Sequence, residues 1–457
     1  MTDRHKKKGE ALNRKILRVI AAIALALALI FLVPEASQAV PSYARQTNLP
    51  CSSCHYMFPE LQPFGRLFKL HGYTLVGADV IEAKDKNDRT TLSLLKIPPL
   101  SGMVQASFSK INKTLPGTQN NDIGFPEQLS FFFAGQVTPH LGAFVQFTYA
   151  IEGASFGWDL VDIRYSHQTS VGSRDLVLGA TLNDNPTIQD VWNSTPVWGF
   201  PYAASSVVPE PAAAALVDGG LEREVAGLGA YAFFDGRLYG EFDLYRSAPQ
   251  GGPHPPDQTS SGIIKNMAPY WRVALQHEWG SHYLEIGTFG LTGKLFPNGV
   301  SGLTDKYTDI AFDLQTEHRM GNSKVTGHGI WIHEKQDLEA TYESGGSANP
   351  TNKLNTLRLN ANCYFMEQWG LSLGYFSTTG DKDTGLYAQE AITGSRTGEP
   401  NTDGIIAELA FLPWLNTKFT LQYVIYSKFN GAKDDYDGFG RKASDNNTIF
   451  LLSWFAM

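Results

Sequence analysis

The chain has 457 residues, 37 Lys and Arg against 45 Asp and Glu for a formal net charge of −8, and 42% hydrophobic residues. That length allows a large core or several domains, and the acidic balance argues against a nucleic-acid binder while suiting cationic partners or a plain solvated surface. Three cysteines, Cys51, Cys54 and Cys363, leave no room for a disulfide framework.

Residues 1–39 read as a signal peptide. Lys6, Lys7, Lys8, Arg14, Lys15 and Arg18 form a basic start, Val19 to Val33 is apolar, and Ser37-Gln38-Ala39 offers a small-residue cleavage site. The apolar run is short of the roughly 20 residues a membrane helix needs, so a retained anchor is the second choice. Removing the leader's 7 basic and 3 acidic residues leaves 30 against 42, a net of −12. No later segment is continuously apolar enough for a membrane helix.

Next comes Cys51-Ser52-Ser53-Cys54-His55. Two cysteines two apart, with a histidine directly after the second, form the attachment site of a c-type haem. Each thiol adds across a vinyl group and the imidazole is delivered to the iron. A zinc site would need two more ligands, and Cys363 is far away in sequence. One covalent haem c on Cys51, Cys54 and His55 is therefore expected. Downstream, Phe64, Leu67 and Phe68 recur at helical spacing and predict a short helix with an apolar face for the porphyrin, stopped near Gly72. Residues 40–98 are too few for a full-sized cytochrome core, so this segment needs a host surface.

Two residues compete for the second axial position. His71 stands at the end of the predicted helix, and Met103 lies in Ser101-Gly102-Met103 at the start of the first strand. Methionine raises the potential and a second histidine lowers it. Met103 ranks first because it would tie the haem segment to that strand, His71 comes second, and another residue or an open position is the remaining alternative.

From Pro99 onward the chain reads as strands with period-two alternation. Leu357, Leu359, Ala361, Cys363 and Phe365 fall on one face, and Thr356, Arg358, Asn360, Asn362 and Tyr364 on the other. A soluble sandwich would bury the apolar face, whereas a membrane barrel would turn it to lipid. About sixteen strands are predicted, starting near 99, 125, 142, 157, 174, 223, 236, 267, 282, 306, 323, 353, 370, 402, 417 and 446. Short turns and long loops alternate between them, and the last strand ends the chain. An even count with that alternation favours an all-β transmembrane antiparallel barrel, residues 99–457, preceded by a small N-terminal haem-binding plug, residues 40–98, at the periplasmic mouth. The long connection at 184–222 carries Asn183-Asp184-Asn185-Pro186-Thr187, Trp192, Trp198, Phe200, Pro201 and an Ala-rich run. Nearly forty apolar, Pro-interrupted residues predict a segment folded into the barrel, with a surface lid as the alternative. His318, His328 and His333 on neighbouring strands offer a metal site, though isolated barrel histidines are more often lumen or turn residues. Asp434, Asp435 and Asp437 read as a solvated run.

The sequence resembles the fused monohaem cytochrome c–porin family of bacterial outer membranes, whose characterised branch oxidises iron. The matching residues are Ala44-Arg45-Gln46-Thr47, the Cys51–His55 motif, Pro59, Phe64-Gly65-Arg66, Phe68-Lys69, Gly72-Tyr73, Asn185-Pro186-Thr187, Trp192-Asn193 and Gly199-Phe200-Pro201. The resemblance implies electron transfer across the outer membrane with Fe(II) as the donor. On physical grounds a haem inside the lumen needs a periplasmic c-type cytochrome as acceptor, because one haem stores no more than one electron. The alternatives are a porin or small-molecule transporter with a structural or redox-sensing haem plug, and a soluble periplasmic haem-binding carrier. No arrangement of nucleophile, histidine and acid suggests a hydrolase.

Overall fold

The computed structural model describes residues 40–75, 78–150 and 155–457; the expected signal peptide at 1–39 lies outside the described residues. Sixteen strands form the wall. They are β1 (Leu100–Ile111), β2 (Asn121–Thr138), β3 (Leu141–Ala150), β4 (Ser155–Val171), β5 (Arg174–Asn183), β6 (Val225–Phe234), β7 (Leu238–Ser247) and β8 (Ala268–Trp279). They continue with β9 (His282–Phe296), β10 (Asp305–Met320), β11 (Ser323–Asp337), β12 (Thr351–Phe365), β13 (Trp369–Gly380), β14 (Thr402–Trp414), β15 (Thr417–Lys428) and β16 (Thr448–Ala456). Each strand pairs antiparallel with its sequence neighbours, and β16 closes on β1 from Thr448↔Ile111 to Ala456↔Met103. Closure satisfies every edge, which is what a sheet in lipid requires. Every expected start lies within four residues of an observed one.

The alternation is inverted with respect to a water-soluble sheet. On β12, Thr356, Asn362 and Tyr364 are buried while Leu359 is 46% exposed. Around the wall, Leu371, Leu373, Ile405, Leu421 and Leu451 also face outward, whereas Asp162, Arg164, Arg272 and Glu285 are fully buried. A sandwich would do the opposite, so the apolar outer face is a lipid face. The protein is a barrel of the bacterial outer membrane. Among the described residues no helix is long and apolar enough to cross a membrane.

Short turns such as 139–140, 280–281 and 321–322 gather at one end and the long loops at the other. Strand β1 starts and β16 finishes at the short-turn end, the periplasmic side of such barrels. The segment before β1 therefore enters there. It contains helix α1 (Pro41–Thr47), a 3₁₀ turn at Cys51–Ser53 and helix α2 (Pro63–Leu70). It also contains a hairpin, Val80–Lys84 paired with Thr90–Leu95, which the sequence pattern alone does not separate from the rest of residues 40–98.

Candidate functional site

Helix α1 is fixed to the wall by its polar side chains. The Tyr43 hydroxyl donates to the Ala143 carbonyl at 2.8 Å, and Gln46 both donates to Tyr73 O and accepts from Gln136 N, each at 2.8 Å. Proline at its first turn suits a helix start, and Asn48 ends it in the left-handed region. The chain then enters the 3₁₀ turn, where His55 N–H donates to Cys51 O at 2.9 Å. This fold places both thiols and the imidazole within one turn.

Helix α2 packs directly on that turn. A Cβ at Gly65 would clash with the Cys54 carbonyl oxygen, so glycine sets the approach. Phe68 is buried and Phe64 packs beside it, but Leu67 is 41% exposed and leaves the expected apolar face. The reason lies in the other side of the helix. Arg66 donates to Leu61 O at 3.0 Å, pairs with Glu317 on β10 and sits 4.2 Å from the Tyr283 ring centroid. Lys69 donates to Ile188 O (2.7 Å), Asp190 O (2.6 Å) and Asn193 Oδ1 (3.1 Å), with Trp198 beneath its ammonium at 4.4 Å. These two charges rotate the helix toward the wall and the inward loop. His71 is the helix's C-terminal cap residue, and Gly72 turns the chain at φ 62°.

The 184–222 connection does fold into the lumen. Asp190 organises it, accepting from the N–H groups of Trp192 (3.0 Å), Ser194 (2.8 Å) and Thr195 (3.1 Å). Trp192 is buried and its indole donates to Tyr283 at 2.7 Å and Gln276 at 3.0 Å. Arg272 on β8 joins loop to wall, reaching Asp190 at 3.5 Å, Glu285 at 3.1 Å and Asp313 at 2.7 Å. Farther along, Leu216 N–H donates to Glu334 and Val217 N–H to Asp309, which lays the Ala-rich run on β10 and β11.

Between α1, α2, the loop and strands β16 and β1–β4 lies a cavity of about 330 Å³, within the roughly 300–1,000 Å³ of small-molecule sites. Cys51, Cys54, His55 and Met103 all line it, together with Phe68, Phe132, Phe144, Trp198 and Trp454. Met103 is 4% exposed; His71 is not part of the lining. The His55 Nδ1 lies 3.3 Å from Pro59 O, so a proton on Nδ1 leaves Nε2 as the coordinating nitrogen. Burial pushes the His55 pKa down to about 4, which keeps the ring neutral at pH 7. It pushes the Cys51 thiol up to about 12 and Cys54 to about 11. Two thiols, a neutral imidazole and a thioether in one largely apolar chamber are a donor set that fits a c-type haem.

Sequence reasoning missed the partners of this plug. Glu60, buried at the lumen wall, lies 3.1 Å from His328 Nε2, accepts from Asn362 at 3.0 Å and bonds the Tyr364 hydroxyl. Lys418 on β15 donates to Phe58 O at 2.9 Å. The only local signal was the spacing of Glu60, Arg66 and Lys69, which a solvated helix face would share. The three strand histidines are not brought together. His318 stacks on His282 at 4.3 Å, His328 engages Glu60, and His333 meets Asn355 at 2.9 Å. Among the described residues no group of three His, Cys, Asp or Glu side chains could hold a metal ion.

Fold and site together define a class: a porin-like outer-membrane barrel whose lumen is occupied by its own N-terminal segment and an inward loop. No family model matches the chain and no curated protein does. Among solved structures it is similar to the anion-selective porin of Comamonas acidovorans, at 14% identity and a TM-score of 0.46 over 78% of this chain and 98% of that one. The outer-membrane channel DcaP of Acinetobacter baumannii gives 11% and 0.44 over 78% and 96%. OmpT of Vibrio cholerae gives 9% and 0.41 over 78% and 96%.

Proposed function

We propose that this barrel carries one covalent c-type haem and conducts electrons from an extracellular donor, Fe(II) foremost, to a periplasmic c-type cytochrome. The observation that carries the reading is the convergence of Cys51, Cys54, His55 and Met103 on one mostly apolar cavity. Cys51 and Cys54 would hold the group by thioether bonds, and His55 and Met103 would offer a nitrogen and a sulfur donor to its iron. Met103 is preferred to His71 because it lines the cavity and His71 does not. Bound there, the haem supplies a one-electron couple, which a methionine ligand sets high and a second histidine sets low. The chain's own residues do the rest. Phe68, Phe132, Phe144 and Trp198 give the chamber its apolar lining, Pro59 O orients the imidazole, and Lys69 clamps the loop across the plug. An apolar band about 25 Å tall insulates the periplasm from outside donors, and a redox centre within the lumen shortens that gap. A ferric product would stay outside the cell. On this reading the chain stands with the fused cytochrome–porins that its motifs resemble.

The test is a redox titration of the haem-loaded protein in detergent, followed by stopped-flow mixing with Fe(II). A potential high enough to accept from Fe(II), with fast appearance of reduced haem bands, supports the proposal. Met103→Ala should then lower the potential while His71→Phe leaves it in place. A low potential that only His71→Phe disturbs would overturn Met103 ligation and Fe(II) oxidation together. Solute flux through liposomes carrying the protein would instead favour the transporter with a haem plug.

A further inference from the structure

The hairpin between α2 and β1 takes no part in the chamber, and one of its faces is apolar and bare. Its register pairs Ile81 with Leu94 and Ala83 with Leu92 on one side, and Val80 with Leu95 and Glu82 with Ser93 on the other. The side bearing Leu95 meets the barrel. A Cβ at Gly135 would lie 3.1 Å from Leu95 Cδ1 and 2.6 Å from Pro99 Cβ, so glycine lets this segment close on β2. Gly135 belongs to the outward set of that strand: Phe131, Phe133 and Val137 are exposed while Phe132 and Ala134 are buried. The hairpin therefore leans on the outside of the wall, beside its lipid face. Its opposite side looks away, with Ile81 51%, Leu92 44% and Leu94 56% exposed.

We propose that this side is an interfacial lipid anchor, seated in the periplasmic leaflet of the outer membrane with phospholipid acyl chains as its occupant. Continuity decides for lipid. Ile97 and Leu100, both exposed, carry the apolar surface from the hairpin onto β1, next to the Phe131 and Phe133 that already meet the bilayer. The polar end is disposed for it as well. Lys84, Asp85, Lys86, Asp88 and Arg89 gather in and beside the turn, where long charged side chains can reach headgroups and water while the strands stay in the acyl boundary. The anchor would fix the segment on which the chain passes from the lumen plug to the wall. Nothing in this depends on the haem.

The experiment is power-saturation spin-label spectroscopy on the full chain in phospholipid vesicles. Nitroxides are placed by Leu94→Cys or Lys86→Cys in a Cys363→Ser background, and the labelled background supplies the signal to subtract. A lipid anchor gives Leu94→Cys collisions with oxygen in excess of those with a water-soluble nickel chelate, and Lys86→Cys the reverse. Equal access to the chelate at both positions would overturn the proposal in favour of a solvated hairpin. Shielding from both relaxants at Leu94→Cys, with disulfide-linked dimers, would overturn it in favour of contact between copies.

Discussion

The wall of this barrel and the material that fills it are built on different rules. Each wall strand needs only alternation, because the ladder satisfies its backbone and lipid takes whatever apolar side chains face out. The filling has no repeating pattern. It is held by single side chains, Arg272, Lys69, Asp190, Glu60 and Lys418, each reaching groups distant in sequence. A substitution in the wall should therefore be read by which way it faces, and one in the filling by what it leaves unpaired.

The largest effect is expected at the joint between the two. Arg272 is fully buried and serves three carboxylates, those of Asp190, Glu285 and Asp313. Arg272→Met leaves them uncompensated, and breaking a buried ion pair this way costs about 3–5 kcal/mol. The urea midpoint should drop, and amides of residues 186–198 should lose hydrogen-exchange protection before those of the strands. An unchanged midpoint would show that the carboxylates are discharged by some other group and that the filling does not depend on the wall at this point.

On the lipid side the same strands should tolerate apolar change and reject charge. Leu359→Ala should leave stability within about 1 kcal/mol, because a residue already facing lipid opens no cavity. Leu359→Arg should cost about 2–4 kcal/mol if the position is near the midplane. Reversible unfolding in lipid vesicles measures both. Equal costs would mean that β12 does not turn this face to the bilayer.

How far each region could be read in advance depends on the same contrast. Period two is local to every strand, so all sixteen were legible, and the one start misplaced by four residues, that of β2, lies where Gly124 and Pro126 break the strand composition. The Cys51–His55 cluster was legible as a pattern because five consecutive residues carry it, and the structure sets all three of its side chains on one cavity. The helix face was misjudged at Leu67 because Arg66 and Lys69 find partners 251 and 119 residues away, and no window along the chain contains both ends of such a bond. The hairpin at 80–95 was passed over because its strands have five and six residues and a charged turn, too short for alternation to show.

Gly65 tests whether the Cys51–His55 turn behaves as filling. Gly65→Ala sets a methyl group against the Cys54 carbonyl, and overpacking of this kind costs about 1–3 kcal/mol. The barrel should still form, seen as an unaltered heat-modifiable band on a gel, while α2 moves off the turn and loading of the proposed haem falls. Normal loading with normal stability would mean that α2 does not fix the turn.

The smallest effect lies in an outer loop, and it asks whether the rule for the filling extends beyond the membrane. Asp383, just after β13, is fully buried and collects six donors. Its Oδ1 accepts from the N–H groups of Ala348 (2.8 Å), Gly385 (2.9 Å) and Leu386 (3.0 Å). Its Oδ2 accepts from Ser347 Oγ (2.6 Å), Asn349 N–H (3.1 Å) and Asn352 Nδ2 (2.8 Å). Burial alone would raise its pKa, but these donors outweigh burial and hold the carboxyl well below the usual range. With the folded value below the unfolded one of about 3.9, the unfolded loop binds the extra proton between the two. The carboxylate's contribution is thus complete above about pH 4 and is lost as pH falls through the folded value. Hydrogen exchange at residues 344–352 and 383–387, corrected for intrinsic rates, should stay protected at pH 5 and open toward pH 2. Asp383→Asn should be open at both, since a neutral amide cannot accept all six bonds. Protection that ignores pH in the parent chain would put the loop's order in its packing rather than in this one carboxylate.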